Sequence, residues 1–317
     1  MWYNISKEML YHFFYVRRGI KMRKKSVGRI VFKIVNSAIL TVFALICILP
    51  FWHVLMSSLS TTEELWNNSG DVFLLWPLCE DGIASIEGYT ELLSNDTIWM
   101  SIANSLFYIA IGGALTVIFS YCAAYCMKRG GVWSKPFTVM MVLASVFSVG
   151  IVPAYAIHKA IGLYHNRWAL IMIGLMNIFY AVYVFGAMKQ LPQSLEDAAE
   201  LDGAGAFTVL FKIIFPLTKF SAAAVFLMCA IVRWNDWLMP LIYSVDRNTW
   251  PLQLRIYEYS TYVGYDPSCY FTMPDYSGIW HKLQCLCVVS ALVSLAVLYP
   301  LIHNIIKKNI AVGTIKY

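Results

Sequence analysis

The chain has 317 residues, 59% of them hydrophobic and only 13% charged, where a water-soluble domain carries roughly 25% charged residues. With a mean hydropathy of +0.62 and apolar residues in unbroken runs, a watered globular surface is excluded and a bilayer is the expected solvent. The formal charge of +6 does not indicate a nucleic-acid surface, because the lysines and arginines sit beside the apolar runs.

Residues 1–30 mix Trp2, Tyr3, Tyr11, Phe13, Phe14 and Tyr15 with a basic cluster from Lys7 to Arg29. Such a segment suits the membrane interface beside anionic headgroups, with a regulatory role as the open alternative. It does not read as a signal peptide. The first long apolar run begins only after Arg29, exceeds a signal h-region of about 7–15 residues and lacks a small-residue cleavage site.

Residues 31–317 read as one all-α integral membrane domain. Six runs reach the ~20 residues that cross a hydrocarbon core, at 31–56, 99–127, 137–158, 168–188, 219–243 and 284–306. Ser101, Asn104 and Ser105 dilute the start of the second, and Gly150 with Pro153 predicts a kink in the third. Tyr121 and Tyr125 lie four apart on one face of the second span, where they are either packing or a stacking surface.

Between the fourth and fifth runs stands a charged, glycine-punctuated island, Ser194 to Pro216. Ser194 precedes Asp197 by three, the spacing of a capping box, so a short helix is expected to start there. Glu196 and Asp197 suit its positive end, Ala198 and Ala199 favour helix, and Gly203 or Gly205, after Asp202, supplies the positive φ that stops it. An apolar helical stretch follows through Phe207, Leu210, Phe211, Ile213 and Ile214 until Pro216 breaks it. Two readings stay open, an ordinary capped surface helix or a docking peg whose small residues admit a partner's backbone.

The fifth span carries Arg233, Trp234, Asn235, Asp236 and Trp237. An arginine near a helix centre costs about 2.5–3.5 kcal/mol on insertion and needs partners. Arg233 and Asp236, three apart, can pair along one face. Again two readings stand: a polar bundle-stabilising group, or a lining where indoles stack on sugar faces and polar groups bond hydroxyls.

Basic residues cluster before the first span, then at Lys128, Arg129 and Lys135, at Lys189 and Lys212, and at Lys307, Lys308 and Lys316, whereas the segment 57–100 has none. The positive-inside rule therefore puts both termini in the cytoplasm. Of eight cysteines, six fall within spans; Cys79 and Cys269 lie in outer loops, where a disulfide is possible only in an oxidising compartment. No zinc-like cysteine spacing appears, so no metal is expected. GxxxxGKS/T, HExxH, GxSxG and a helix-leading GxGxxG are all absent, so no catalytic residue and no bound cofactor are assigned to the chain.

Asp197-Ala198-Ala199, three residues, Gly203, nine residues, Ile213, one residue and Phe215-Pro216 resemble the EAA loop of permeases in binding-protein-dependent ABC importers, written EAA-x3-G-x9-I-x-LP. Asp197 stands where Glu is usual and Phe215 where Leu is usual. The stretches Ala44–Phe51, Trp234–Trp237 with Pro240-Leu241, and Tyr299-Pro300 to Lys316 resemble the carbohydrate branch, nearest the LplC/YtcP-like group and related to the maltose permease G subunit. The resemblance implies a six-helix type I permease in a bacterial inner or plasma membrane, paired with a homologous second permease. It also implies an ATPase dimer that uses ATP-Mg and receives the loop through Glu196, Asp197, Ala198, Ala199, Asp202, Gly203, Ile213 and Pro216. An extracellular solute-binding protein would deliver the carbohydrate, with the loops 65–98 and 246–282 as its contacts. Rival readings are an ABC permease for a peptide or other solute, and an ion-coupled secondary transporter, which would carry repeats or buried carboxylates.

Overall fold

The computed structural model describes residues 27–67, 74–79, 84–147, 150–244, 246–264 and 283–294, which are helical with no strand among them. Residues up to His53 form one compact unit and Val54 onward a second. The first unit is α1, Val27–Ser58 as far as His53. Its side chains from Val31 to Trp52 are largely apolar on every face of the helix, a pattern that suits lipid.

The second unit is organised around α4, Asp96–Arg129. Asn95 accepts a hydrogen bond from the Thr97 amide at 3.0 Å, while Asp96 opens the helix and Lys128 and Arg129 close it, all favourable to the helix dipole. Before it lie short α2, Thr62–Asn67, and α3, Glu87–Leu93. α4 packs along α8, Ile178–Met188, and α11, Lys219–Trp234. Gly112 and Gly113 permit that approach, because a Cβ at Gly113 would lie 2.7 Å from the Phe226 ring.

Three expected spans are not single helices. The segment 137–158 divides into α5, Ser134–Val146, and α6, Ile151–Ala160. Gly150 at φ +80° makes this a full break, and Pro153 sits in the first turn of α6, where its missing N–H costs nothing. The segment 168–188 divides into α7, Arg167–Met172, and α8, with Gly174 at φ +77° and Asn177 capping the Phe179 amide at 2.9 Å. The segment 219–243 divides into α11 and α12, Leu238–Tyr243. Only α1 and α4 among the described helices are long and apolar enough to cross a bilayer alone. Of the sixth expected span the structure describes α14, Leu283–Ser294; the rest of it, residues 1–26 and Cys269 lie outside the described residues.

The polar residues that dilute the start of the second span have a structural task. Asn104 Nδ2 donates to the carbonyls of Asn248 at 2.7 Å and Trp250 at 3.2 Å, and Ser105 Oγ accepts from the Leu252 amide at 2.8 Å. Ser101 Oγ accepts from Arg255 Nε at 3.3 Å. Together they fasten the segment 246–251, with its short 3-10 turn at Arg247–Thr249, and the start of α13, Leu252–Gly264, onto α4. Non-helical backbone packed against a helix survives only when such partners meet its polar groups.

Candidate functional site

The island forms α9, Ser194–Leu201, a turn, and α10, Ala206–Leu217. The expected capping box does not form. Gln193 is already helical (φ −59°, ψ −33°), so Ser194 lies inside the first turn, away from the extended position an N-cap hydroxyl needs. At the other end Gly203 has φ +80°, its amide bonds the Glu200 carbonyl at 3.0 Å, and the Ala204 amide bonds that of Ala199 at 2.9 Å. This pair of bonds is a Schellman motif, and Gly203 rather than Gly205 supplies the left-handed residue.

α9 has two faces. Glu196 and Ala199 are buried, the glutamate in an ion pair with Lys128 at the end of α4. Asp197, Ala198, Leu201 and Asp202 are exposed, Leu201 to 88%, and across the turn Phe207 is exposed to 75%. Ile213 is half-buried against the core below. Pro216 does not end this stretch as expected. Residues Val209–Ile214 take the wide π-helical form, which accommodates the proline's missing N–H, and the chain turns only at Thr218, where α10 and α11 meet at 84°.

Tyr121 and Tyr125 belong to this joint. Tyr121 is fully buried and its hydroxyl donates to the Thr218 carbonyl at 2.8 Å, while Thr218 Oγ1 donates to that of Ile214 at 2.8 Å. Both tyrosines share one apolar cluster with Val184, Met188, Ala199, Val209, Leu210 and Ile214.

The fifth-span residues separate by environment. Arg233 does not ion-pair with Asp236. Its Nη1 donates to the Leu170 carbonyl at 2.9 Å, Nη2 to Ile171 at 3.1 Å and Ile173 at 3.4 Å, and Nε to Cys229 Sγ at 3.3 Å. These carbonyls are the orphaned acceptors at the end of α7, so the guanidinium caps that helix at its negative pole. Asp236 instead accepts from the Met239 amide at 3.1 Å and caps α12. Trp234 is buried among Leu92, Ile98, Ile102 and Leu286. Asn235 and Trp237 are exposed, the latter stacked on Tyr257 with centroids 4.2 Å apart and planes 17° apart.

Lys128, Thr218 and Tyr257 were not anticipated as site residues. In the sequence Lys128 reads only as a topology marker, and neither of the other two carries a local pattern that singles it out. Among the described residues no three of His, Cys, Asp or Glu gather to hold a metal.

Gly112 is the space in which the Arg233 head sits, since a Cβ there would lie 2.5 Å from Cζ. Because four hydrogen bonds pin that head, it cannot step aside. Gly112→Val is expected to cost about 1–3 kcal/mol, the range for overpacking, read as a lower melting temperature of the detergent-solubilised protein.

No protein-family model matches the chain. It is 32% identical over 218 residues to the polygalacturonan/rhamnogalacturonan transport system permease protein YtcP of Bacillus subtilis, covering 68% of this chain and 74% of that one. Protein LplC of the same organism is 28% identical over 296 residues, covering 93% and 98%. The multiple sugar-binding transport system permease protein MsmG of Streptococcus mutans is 30% identical over 234 residues, covering 70% and 80%. In fold, the chain is similar to a chain of a bacterial ABC transporter that imports the acidic polysaccharide alginate. The TM-score is 0.76 at 24% sequence identity, over 88% of this chain and 98% of that one.

Proposed function

This chain belongs to the sugar ABC transporter permeases, a non-enzymatic transport component, and from that premise we propose that it carries a carbohydrate, in the form of an oligosaccharide, across a bacterial inner or plasma membrane. Its apolar segments make six crossings, three of them from broken helices, with both termini in the cytoplasm. A homologous second permease completes the pathway, a solute-binding protein delivers the sugar from outside, and an ATPase dimer supplies the energy from ATP-Mg.

The observation that carries this reading is the divided character of α9. One face is pinned to α4 through Glu196, and the other presents Asp197, Ala198, Leu201 and Asp202 to a partner. A short helix closed by a Schellman turn keeps its shape when pushed. On the outer side, Asn235, Asp236 and the Trp237–Tyr257 stack are the sugar-facing groups, since an indole face and polar hydrogen-bonding groups suit a pyranose. Arg233, Trp234, Tyr121 and Tyr125 keep the frame in shape.

The test is ATP-dependent uptake in proteoliposomes holding both permeases, the ATPase and the binding protein, assayed with a panel of oligosaccharides. Gly203→Val puts a β-branched residue at φ +80°, a strain of roughly 1–2 kcal/mol at the end of the docking helix. Uptake is expected to fall about five- to thirtyfold, the factor that this strain represents. Unchanged uptake in this variant would remove the docking assignment, and uptake without any ATPase would remove the importer reading altogether.

A further inference from the structure

The acidic first turn of α9 is split by the fold. Asp197 is exposed, whereas Glu196, its neighbour, turns inward and meets Lys128, and both side chains of that pair are only 8% exposed. An exposed ion pair flexes and is screened by salt; a buried one is held in a single geometry, because parting the charges leaves each without solvent. One residue further along α4, Arg129 reaches Glu200 at 3.3 Å on the rim of the same contact. Ala199, between the two glutamates, packs with Tyr125 in the apolar cluster.

A second contact lies deeper on the same helix. Tyr121 is seven residues before Lys128, two turns or about 10 Å along α4, and its hydroxyl holds the Thr218 carbonyl at the 84° bend. The inner part of α4 therefore grips the lever at both ends, α9 by an ion pair and the elbow by a hydrogen bond. α9, the elbow and α4 are thus joined at two points besides the chain itself. Beyond these two points, the same α4 carries Gly112, against which the Arg233 head sits.

We propose that Lys128 and Glu196 are positioning residues that clasp α9 to α4, so that a displacement of α9 by the ATPase is delivered to α4 directly and not only along the chain through the elbow into α11. The proposal rests on the docking role assigned to α9 above. It separates two neighbouring acids by task, Asp197 facing the motor and Glu196 fastening the lever.

The experiment uses the full complex in proteoliposomes and measures sugar uptake per ATP hydrolysed in wild type, Glu196→Gln, and the reversed pair Lys128→Glu with Glu196→Lys. For Glu196→Gln, ATPase association and hydrolysis are expected to persist while uptake per ATP falls about tenfold, a typical coupling between sites. Charge reversal restores most of the ratio. A pair that merely stabilised the fold would lower the yield of complex and leave the ratio alone, so an assembled Glu196→Gln complex with the wild-type ratio overturns the proposal. If that variant does not assemble, the decision passes to Lys128→Cys with Glu196→Cys, in a background lacking the native cysteines and joined by a short bifunctional thiol reagent. Transport retained after joining supports a clasp that moves as one body, and transport blocked by joining overturns it. A wild-type complex without ATP-linked uptake of any sugar overturns the transport reading and this proposal together, whereas normal wild-type uptake with an unaffected variant overturns this proposal alone.

Discussion

Arg233→Ala is expected to destabilise the permease by about 1–3 kcal/mol, the cost of leaving buried acceptors without their donor. The alanine leaves the Leu170, Ile171 and Ile173 carbonyls without their donor at the end of α7, where Leu170 and Ile171 are buried. It also opens a space beside Gly112. Arg233→Lys should recover part of the loss, because an ammonium keeps the charge but lacks the planar fork that reaches several carbonyls at once. The measurement is the melting temperature and yield of the detergent-solubilised complex without sugar. A variant that melts normally yet transports with a raised half-saturation concentration would show that Arg233 is a sugar ligand and not the cap of a broken span.

Leu201→Glu combined with Phe207→Glu is expected to release the ATPase while leaving the permease folded. Both side chains are largely exposed, to 88% and 75%, so neither contributes to the core, and their replacement costs the free chain little. Apolar anchors at the centre of an interface contribute about 2 kcal/mol or more each when lost. Two together weaken association by roughly a thousandfold, the factor that 4 kcal/mol represents. Co-purification with the ATPase at micromolar concentration reads this directly. Retention of the ATPase by a folded double variant would move the docking surface elsewhere.

Local chemistry accounts for the parts of this protein that the sequence discloses. Apolar runs, the distribution of lysine and arginine, and the spacing from Asp197 to Pro216 depend on neighbours a few residues away, and they led to the membrane, the short helix after Pro192 and the family. The helix stop is legible in the sequence as Gly203 or Gly205, because only a residue tolerant of positive φ serves there. The breaks were partly legible: Gly174 and Asn177 inside an apolar run are a stop and a cap, yet hydropathy alone read through them.

Partners distant in the chain were decided only by the tertiary structure. Arg233 offered Asp236 three residues on, but its donors went to carbonyls some sixty residues earlier, since a broken helix end holds several unmet acceptors and Asp236 already caps α12. Tyr121 and Tyr125 share a face in either reading, and it took the elbow at Thr218 to place them in a packed joint. By itself the sequence determined the apolar solvent, the short helix stopped at Gly203 and the family, because hydropathy and positive-φ glycines are read from adjacent residues. Which face of α9 is free and which is fastened depended on where α4 ends, and that is a property of packing between segments that no local pattern encodes.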